Sequence, residues 1–386
     1  MPEPVPPPVQ GRPNELTRFT ARMHALTSTA AVPGISVAVS RADRLLYARG
    51  FGLADRDAGR PATTRTSYLW FSMTKIATAT AALRLADEGR LDLAAPVTSF
   101  VRGYPSAGDS RVTVGDLLNH TAGVANPVPV RWVRPVDRPE PDPEEFLRRR
   151  LARHRRPRFP VGGPARYSNL GYLILGEVIH RAAGQPFREY VRDSVLRPAG
   201  MTRTDFGYQD EVDRAVGYVR APRGAGPALR ALLPAGIVSG RSGPFLSFEP
   251  FLVNGAAYGG LVGDVIDASR LAALHLADGV AQGNRILRAE TARGMRDIRT
   301  PGKPFDLGQG WFRKPEHRTC SPSFVEHYGS GGGFFNAMRL YPELDLGIVL
   351  MANTTRPYDV HTAFETLRQV PWDDLDPADG MNSREP

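Results

Sequence analysis

The chain reads as a mixed α/β (α+β) protein in which one antiparallel sheet, flanked by helices, is assembled from both chain ends around a mainly helical lobe. Three observations predict this. Strand-like runs cluster near the start, at Ile35–Ser40 and Leu45–Gly52, and again near the end, at Phe334–Tyr341 and Leu346–Asn353. Short polar segments, Arg41-Ala42-Asp43-Arg44 and Pro342-Glu343-Leu344-Asp345, separate the two members of each pair. Between about Leu91 and Pro244 the pattern is mainly helical periodicity and loop.

Taken in order, Asn14–Thr29 places Leu16, Phe19, Met23 and Leu26 at helical spacing. After the first strand pair, a helix is expected from Ser72 to about Glu88, closed by Gly89 in a left-handed cap. Asp142 is placed to cap Pro143–Arg153, with proline at the first helical position. Asn169–Ala183 is apolar on one side and followed by Gly184, and Asp267–Leu276 reads as another helix. Gln309–Arg313 is a candidate strand, and Val360–Gln369 a last helix. The expected organisation is a Pro-rich tail over 1–13, a single catalytic unit over 14–375, and a polar tail over 376–386. Within that unit an α/β lobe takes 14–71 and 245–375, and the helical lobe takes 72–244.

Apolar residues at 41% and charged residues at 23% exclude a disordered or fibrous chain. No apolar run reaches the ~18 residues of a membrane span; the best, Leu170–Ile179, is broken by Gly171, Gly176 and Glu177. The N-terminus lacks the basic and apolar regions of an export signal, so a cytoplasmic protein with no membrane partner is expected. Cys320 is alone, which excludes a disulfide framework and a C-x-x-C site, and the histidines show no metal-ligand spacing. No cofactor is expected. The net charge of +9 is carried by 46 arginines and three lysines, Lys75, Lys303 and Lys314. The basic run from Arg148 to Arg158 lacks interleaved aromatics, so it reads as a solvated helix face and loop, and no nucleic-acid partner is expected.

With lysine so scarce, one inside an apolar helix stands out. Phe71-Ser72-Met73-Thr74-Lys75 sets a serine at a helix start and a lysine three residues on, side chains that share a face with Cβ atoms about 5–6 Å apart. The helix N-terminus favours a developing alkoxide. It also disfavours a protonated lysine, whose ordinary pKa of about 10.4 must fall several units for it to act as a base. Ser72 and Lys75 also read simply as an N-cap and a first-turn residue. Tyr167-Ser168-Asn169 precedes an apolar helix, where it can present a phenol and an amide to a cleft or merely cap that helix. His327-Tyr328-Gly329-Ser330-Gly331-Gly332-Gly333 leads into Phe334–Tyr341. Its glycines permit close approach to a strand backbone, as an oxyanion-hole N–H requires, or mark a loop or bulge.

Ser-x-x-Lys, Tyr-Ser-Asn and His-x-Gly in this order resemble the serine β-lactamase and penicillin-binding-protein superfamily. Tyr-Ser-Asn points to its class C-like branch, with D-alanyl-D-alanine carboxypeptidases and family VIII carboxylesterases. Leu117–Gly123 and Tyr258–Val262 resemble further segments of that family, and the likeness runs from about Asn14 to Gln369. The resemblance implies a β-lactamase/transpeptidase-like fold and a serine hydrolase working through an acyl-enzyme. Ser72 would be the nucleophile and Lys75 the base, alone or through Tyr167, which would protonate the leaving group. Asn169 would bind Lys75 and substrate, and His327 would orient Tyr167 or a substrate polar group. Gly329 would let the strand approach, and the Ser72 and Ser330 N–H groups would form the oxyanion hole. His327 in place of the family's more usual lysine, and Tyr328 narrowing one cleft wall, argue for a small ester over a β-lactam. A D-amino-acid peptidase, weak β-lactamase or acyl-transferring transesterase is the alternative, and a non-catalytic binding protein the third. The other histidines, His120 included, are expected to be structural. An α/β-hydrolase is excluded by the absence of a Gly-x-Ser-x-Gly elbow. The sequence does not determine oligomeric state.

Overall fold

The computed structural model describes residues 15–29, 31–104, 112–154, 157–355 and 358–374. The Pro-rich tail over 1–13, the polar tail over 376–386, and Arg155 and Arg156 of the basic run lie outside the described residues.

The central sheet comprises β1 (Gly34–Ser40), β2 (Leu45–Asp55), β3 (Arg60–Pro61), β4 (Asp306–Leu307), β5 (Phe312–Arg313), β6 (Val325–Gly331), β7 (Phe334–Tyr341) and β8 (Leu346–Ala352). Its order is β4-β5-β6-β7-β8-β1-β2-β3. Each neighbouring pair is antiparallel, and the two chain ends meet where Ile35 pairs with Ala352 and Val39 with Ile348. β1 and β8 lie inside the sheet, each paired on both sides, and are buried at every position, so both read as apolar runs rather than alternating ones.

The principal helices are α1 (Glu15–Ser28), α2 (Thr74–Asp87), α3 (Pro143–Leu151), α4 (Asn169–Ala183), α5 (Phe187–Val191), α6 (Ala256–Gly259), α7 (Val265–Leu276) and α8 (Val360–Arg368). One sheet face packs Val37, Val39, Ile348 and Leu350 against Phe19 of α1 and Phe364 of α8. The other packs Met338, Leu340, Val349 and Met351 into the cluster that holds α2, α4 and α7. Residues 74–83 of α2 are all buried, as expected of a helix surrounded by protein. No helix among the described residues is long and apolar enough to cross a membrane.

Three local expectations change. The α-helix after Ser72 begins at Thr74, and Ser72 itself sits in a 3₁₀ turn, Phe71–Met73. The middle of the chain also contributes a three-stranded sheet, in which Phe245–Phe248 lies between Tyr218–Arg220 and Val238–Ser242. These strands are short, and Phe245–Phe248 is buried at all four positions, so no alternation announces it. The segment His327–Gly331 is part of a strand, held by its register with β7 despite its glycines. In the basic run, Arg148 and Arg149 bond Glu145, and Arg150 covers the Phe146 ring at 3.8 Å.

Candidate active site

Ser72 lies in the turn that joins Trp70 to α2. That turn is held on both sides: Trp70 N–H donates to Leu261 O (2.9 Å), and Leu261 N–H donates to Thr74 Oγ1 (3.1 Å). Phe71 occupies φ +47°, a left-handed conformation uncommon for a bulky side chain. Two glycines of β6 make the arrangement possible. A Cβ on Gly329 would lie 1.9 Å from Trp70 O, and one on Gly331 would lie 2.2 Å from the Phe71 ring. The glycines foreseen as room for a ligand thus bring β6 against the backbone that carries Ser72.

Asn336 of β7 fixes the same backbone from beneath. Its fully buried amide donates to Leu69 O (2.8 Å) and accepts from Ala352 N–H (3.2 Å), tying the strand before the turn to the centre of the sheet.

Lys75 is fully buried on the first turn of α2. Its Nζ lies 3.1 Å from Ser72 Oγ, 2.8 Å from Asn169 Oδ1 and 2.8 Å from Tyr258 O. No carboxylate among the described residues pairs with it. Burial holds the amine well below its ordinary pKa. The rings of Tyr167, Tyr258 and Tyr172 surround it, with centroids 4.9, 5.5 and 5.6 Å away.

Asn169 starts α4, and Ser168 caps it by accepting from Gly171 N–H (3.0 Å) while donating to Ala125 O (2.8 Å). The capping reading of Ser168 and the site reading of Asn169 therefore both hold. Asn126 Oδ1 accepts from Asn169 N–H at 3.0 Å.

Tyr167 Oη stands 3.4 Å from His327 Nε2. Burial drives the phenol pKa upward, opposed by a hydrogen bond with Ser72, so Tyr167 is a neutral phenol across the working range. His327 Nδ1–H donates to Gly310 O (2.7 Å), which leaves Nε2 as the acceptor facing Tyr167. Burial first, then the charge of Lys75, lowers the His327 pKa to about 3, with the Gly310 bond opposing.

His120, read from the sequence as structural, touches the site. Its ring stacks between Tyr167 and Tyr172, 4.8 Å from each, and its Nδ1 accepts from Ser168 N–H at 3.0 Å. Burial, Lys75 and His327 all lower its pKa. Tyr328 departs from expectation. Pairing with Ala337 turns its ring to the sheet face opposite His327, where it stacks on Phe335. It reaches the site residues through two other rings: Phe305 contacts both Tyr328 and Tyr167, and Phe312 contacts both Tyr328 and His327.

Ser72, Lys75, Tyr167, Asn169 and His327 are thus brought together, with Gly329 and Ser330 on the strand beside the turn. The sequence reading missed the Tyr258 carbonyl, Asn336, and the packing of His120. The first and last fall in segments already marked by their resemblance, Tyr258–Val262 and Leu117–Gly123. Nothing in the strand pattern of β7 marked Asn336.

The family described as Beta-lactamase matches residues 18–370. Esterase EstB of Burkholderia gladioli is 30% identical over 355 residues, covering 83% of this chain and 86% of that protein. Among solved structures, the octameric penicillin-binding protein homologue from Pyrococcus abyssi superposes with a TM-score of 0.73 at 23% identity, over 95% of this chain and 79% of that one. EstCE1, described as a hydrolase with promiscuous acyltransferase activity, superposes with a TM-score of 0.69 at 20% identity, over 93% and 98%. The two structural likenesses establish the fold.

Proposed function

The chain belongs to the beta-lactamase family of serine hydrolases, and we propose that it cleaves small, uncharged carboxylic esters through an acyl-enzyme on Ser72. One observation carries the choice of ester: neither basic side chain in contact with the nucleophile and its phenol is a standing cation. His327 is neutral above about pH 3, and burial holds Lys75 toward its neutral form. A β-lactam or a C-terminal D-amino acid presents a carboxylate that calls for a fixed positive charge, whereas a neutral ester does not. The esterase activity in the name of the B. gladioli relative agrees with this reading.

The hydrogen-bond partners support the following roles. Asn169 Oδ1 and Tyr258 O only accept, so a neutral amine directs its two N–H bonds to them and turns its lone pair to the Ser72 hydroxyl. As Ser72 Oγ bonds to the acyl carbon, its proton passes to Lys75 and the carbonyl π electrons move onto oxygen. The Ser72 and Ser330 N–H groups receive that oxyanion, on the approach of β6 that Gly329 permits. Collapse expels the alkoxide, which takes a proton from Tyr167. Lys75 returns its proton to the phenol, and His327 Nε2 holds the phenol in place. Water then attacks the acyl carbon while its proton passes to Lys75; the Ser72 Oγ–acyl bond breaks, the acid leaves, and Lys75 returns the proton to Ser72 Oγ. A phenol with a raised pKa serves as donor rather than resting phenolate, so Lys75 is the base.

The test is p-nitrophenyl acetate hydrolysis together with intact mass. Wild-type protein is expected to turn over and to carry a transient acyl adduct that Ser72→Ala lacks. Hydrolysis by Ser72→Ala at the wild-type rate would refute the assignment. Faster turnover of nitrocefin or a D-alanyl peptide than of aryl esters would refute the substrate class.

A further inference from the structure

A cavity of about 470 Å³ is lined by residues of α3, α4, α5 and α6. Its volume suits a small organic ligand. Leu147, Leu173, Phe187, Ala256 and Ala257 give it an apolar lining, and carboxylates crowd its rim although the whole chain carries a net +9. Among those carboxylates, Glu140 is paired with Arg188 and, at 3.9 Å, with Arg134, while Glu144 and Glu177 share the single guanidinium of Arg181. Asp142 and Glu189 have no ion-pair partner among the described residues. Of the two arginines in the lining, Arg188 is taken up by Glu140, and Arg192 forms a bidentate pair with Asp205 and attracts Glu189 only at longer range. The rim therefore retains uncompensated negative charge above an apolar floor.

The walls of this cavity are the parts that position Lys75. α4 lends Leu173, Gly176 and Glu177 to the lining and carries Asn169 at its N-terminal end. α6 lends Ala256 and Ala257, and its next residue is Tyr258, whose carbonyl accepts from Lys75. Ala257 O also accepts from Thr78 of α2 at 2.7 Å. The two helices are in close contact, because a Cβ on Gly176 would lie 2.5 Å from Ala257 Cβ.

We propose that this cavity is an effector site for an amphiphilic organic cation, an alkylammonium or arylammonium whose body fills the apolar floor and whose head meets Asp142 and Glu189. Occupancy displaces α6 and α4 slightly and is felt at Lys75 through Tyr258 O and Asn169 Oδ1. The binding is independent of the esterase reading; its effect on turnover rests on that reading.

Octylammonium, 1-octanol and octanoate share a chain and differ in the head, so calorimetric titration of the full chain with each separates charge from burial. Octylammonium is expected to bind one site per chain, with octanoate at least about tenfold weaker. The double variant D142N/E189Q removes the two unpaired charges, and asparagine caps α3 as well as aspartate does. It is expected to weaken octylammonium about tenfold and to leave 1-octanol unchanged. Equal affinity of wild type and variant for octylammonium overturns the site. The coupling has a readout that needs no turnover, because the chain holds only three lysines. In lysine-labelled protein, with Lys303→Arg and Lys314→Arg as assignments, saturating octylammonium is expected to move the Lys75 side-chain signal alone. An unmoved Lys75 signal, or inhibition competitive with ester, overturns the effector role. Binding and a moved Lys75 signal in a protein that cleaves no ester would support the cavity and defeat the esterase reading.

Discussion

Replacing Gly329 with alanine tests whether the strand beside Ser72 is part of the catalytic geometry. The added methyl would sit 1.9 Å from Trp70 O, a backbone atom that cannot swing away. To reach even 3.0 Å, β6 and the Ser72 turn must part by about 1.1 Å. A misplacement of about 1 Å costs on the order of 10²-fold in rate, and loss of one oxyanion donor costs about 10²–10³-fold. The kcat for p-nitrophenyl acetate is therefore expected to fall about 10²–10³-fold, with overpacking lowering stability by about 1–3 kcal/mol. The matched control is Gly294→Ala, in a helix where an added Cβ meets nothing within 4 Å. It is expected to keep full activity and gain up to about 1 kcal/mol. Urea denaturation and steady-state kinetics on folded protein, verified by circular dichroism, give both numbers. A Gly329→Ala enzyme with kcat within about threefold of wild type would refute the placement of the oxyanion donor on β6.

Three further outcomes are expected. Tyr167→Phe removes the proton donor but little packing, so kcat should fall about 10²–10⁴-fold with KM nearly unchanged; an unchanged kcat would remove the phenol from the mechanism. Asn336→Ala leaves Leu69 O and Ala352 N–H buried without the amide, and urea denaturation should show a loss of about 2–4 kcal/mol, with less than 1 kcal/mol counting against its role as a tie. His327 is lowered from 6.5 to about 3, so between these values the unfolded chain binds a proton that the native site refuses, and native stability must fall as pH falls through that window. Burial lowers His275 to about 3 and lowers His120 as well, so His327→Gln should reduce that dependence in urea midpoints measured from pH 7 to pH 4 by its own share and leave theirs. The same neutrality predicts no inflection near pH 6.5 from His327 in the kcat/KM profile, whose acid limb should follow Lys75 instead.

The sequence made the frame and the chemistry-bearing residues readable for different reasons. β1, β7, β8 and α4 were legible because long apolar runs and capping residues act locally: Asn169–Ala183 begins and ends where Ser168 and Gly184 place it. Lysine scarcity drew attention to Lys75, but Ser72, Lys75 and Tyr167 were legible together only through the resemblance carried by Ser-x-x-Lys, Tyr-Ser-Asn and His-x-Gly in that order. Strand β6 was not, because His327–Gly331 has neither β propensity nor alternation and is a strand only through its pairing with β7. Tyr328 was assigned to the cleft for the same cause, since without a register there is no way to know which face a side chain takes. The Tyr258 carbonyl was hidden because every residue has one, and only the tertiary approach of α6 to Lys75 gives this one a use.

The surroundings of Lys75 pull in opposite directions, and magnitudes decide between them. Three tyrosine rings within 4.9–5.6 Å of Nζ favour an ammonium, each by about 0.5–2 kcal/mol. Against them, taking the charge out of water costs several kcal/mol after relaxation, and the partners that receive its hydrogen bonds are neutral dipoles, not carboxylates. Burial is the cause that lowers the Lys75 pKa well below its ordinary value, the direction that a base at this position requires. The rings and carbonyls then act at a different moment. In the mechanism we propose, when the Ser72 proton arrives on Nζ an oxyanion forms a few ångströms away, and the ammonium acquires a counter-charge it lacked in the free enzyme. The rings and carbonyls that burial opposes at rest now add to that attraction. Their contribution is larger in the transition state than in the ground state, which is the condition for an interaction to raise kcat rather than merely to bind.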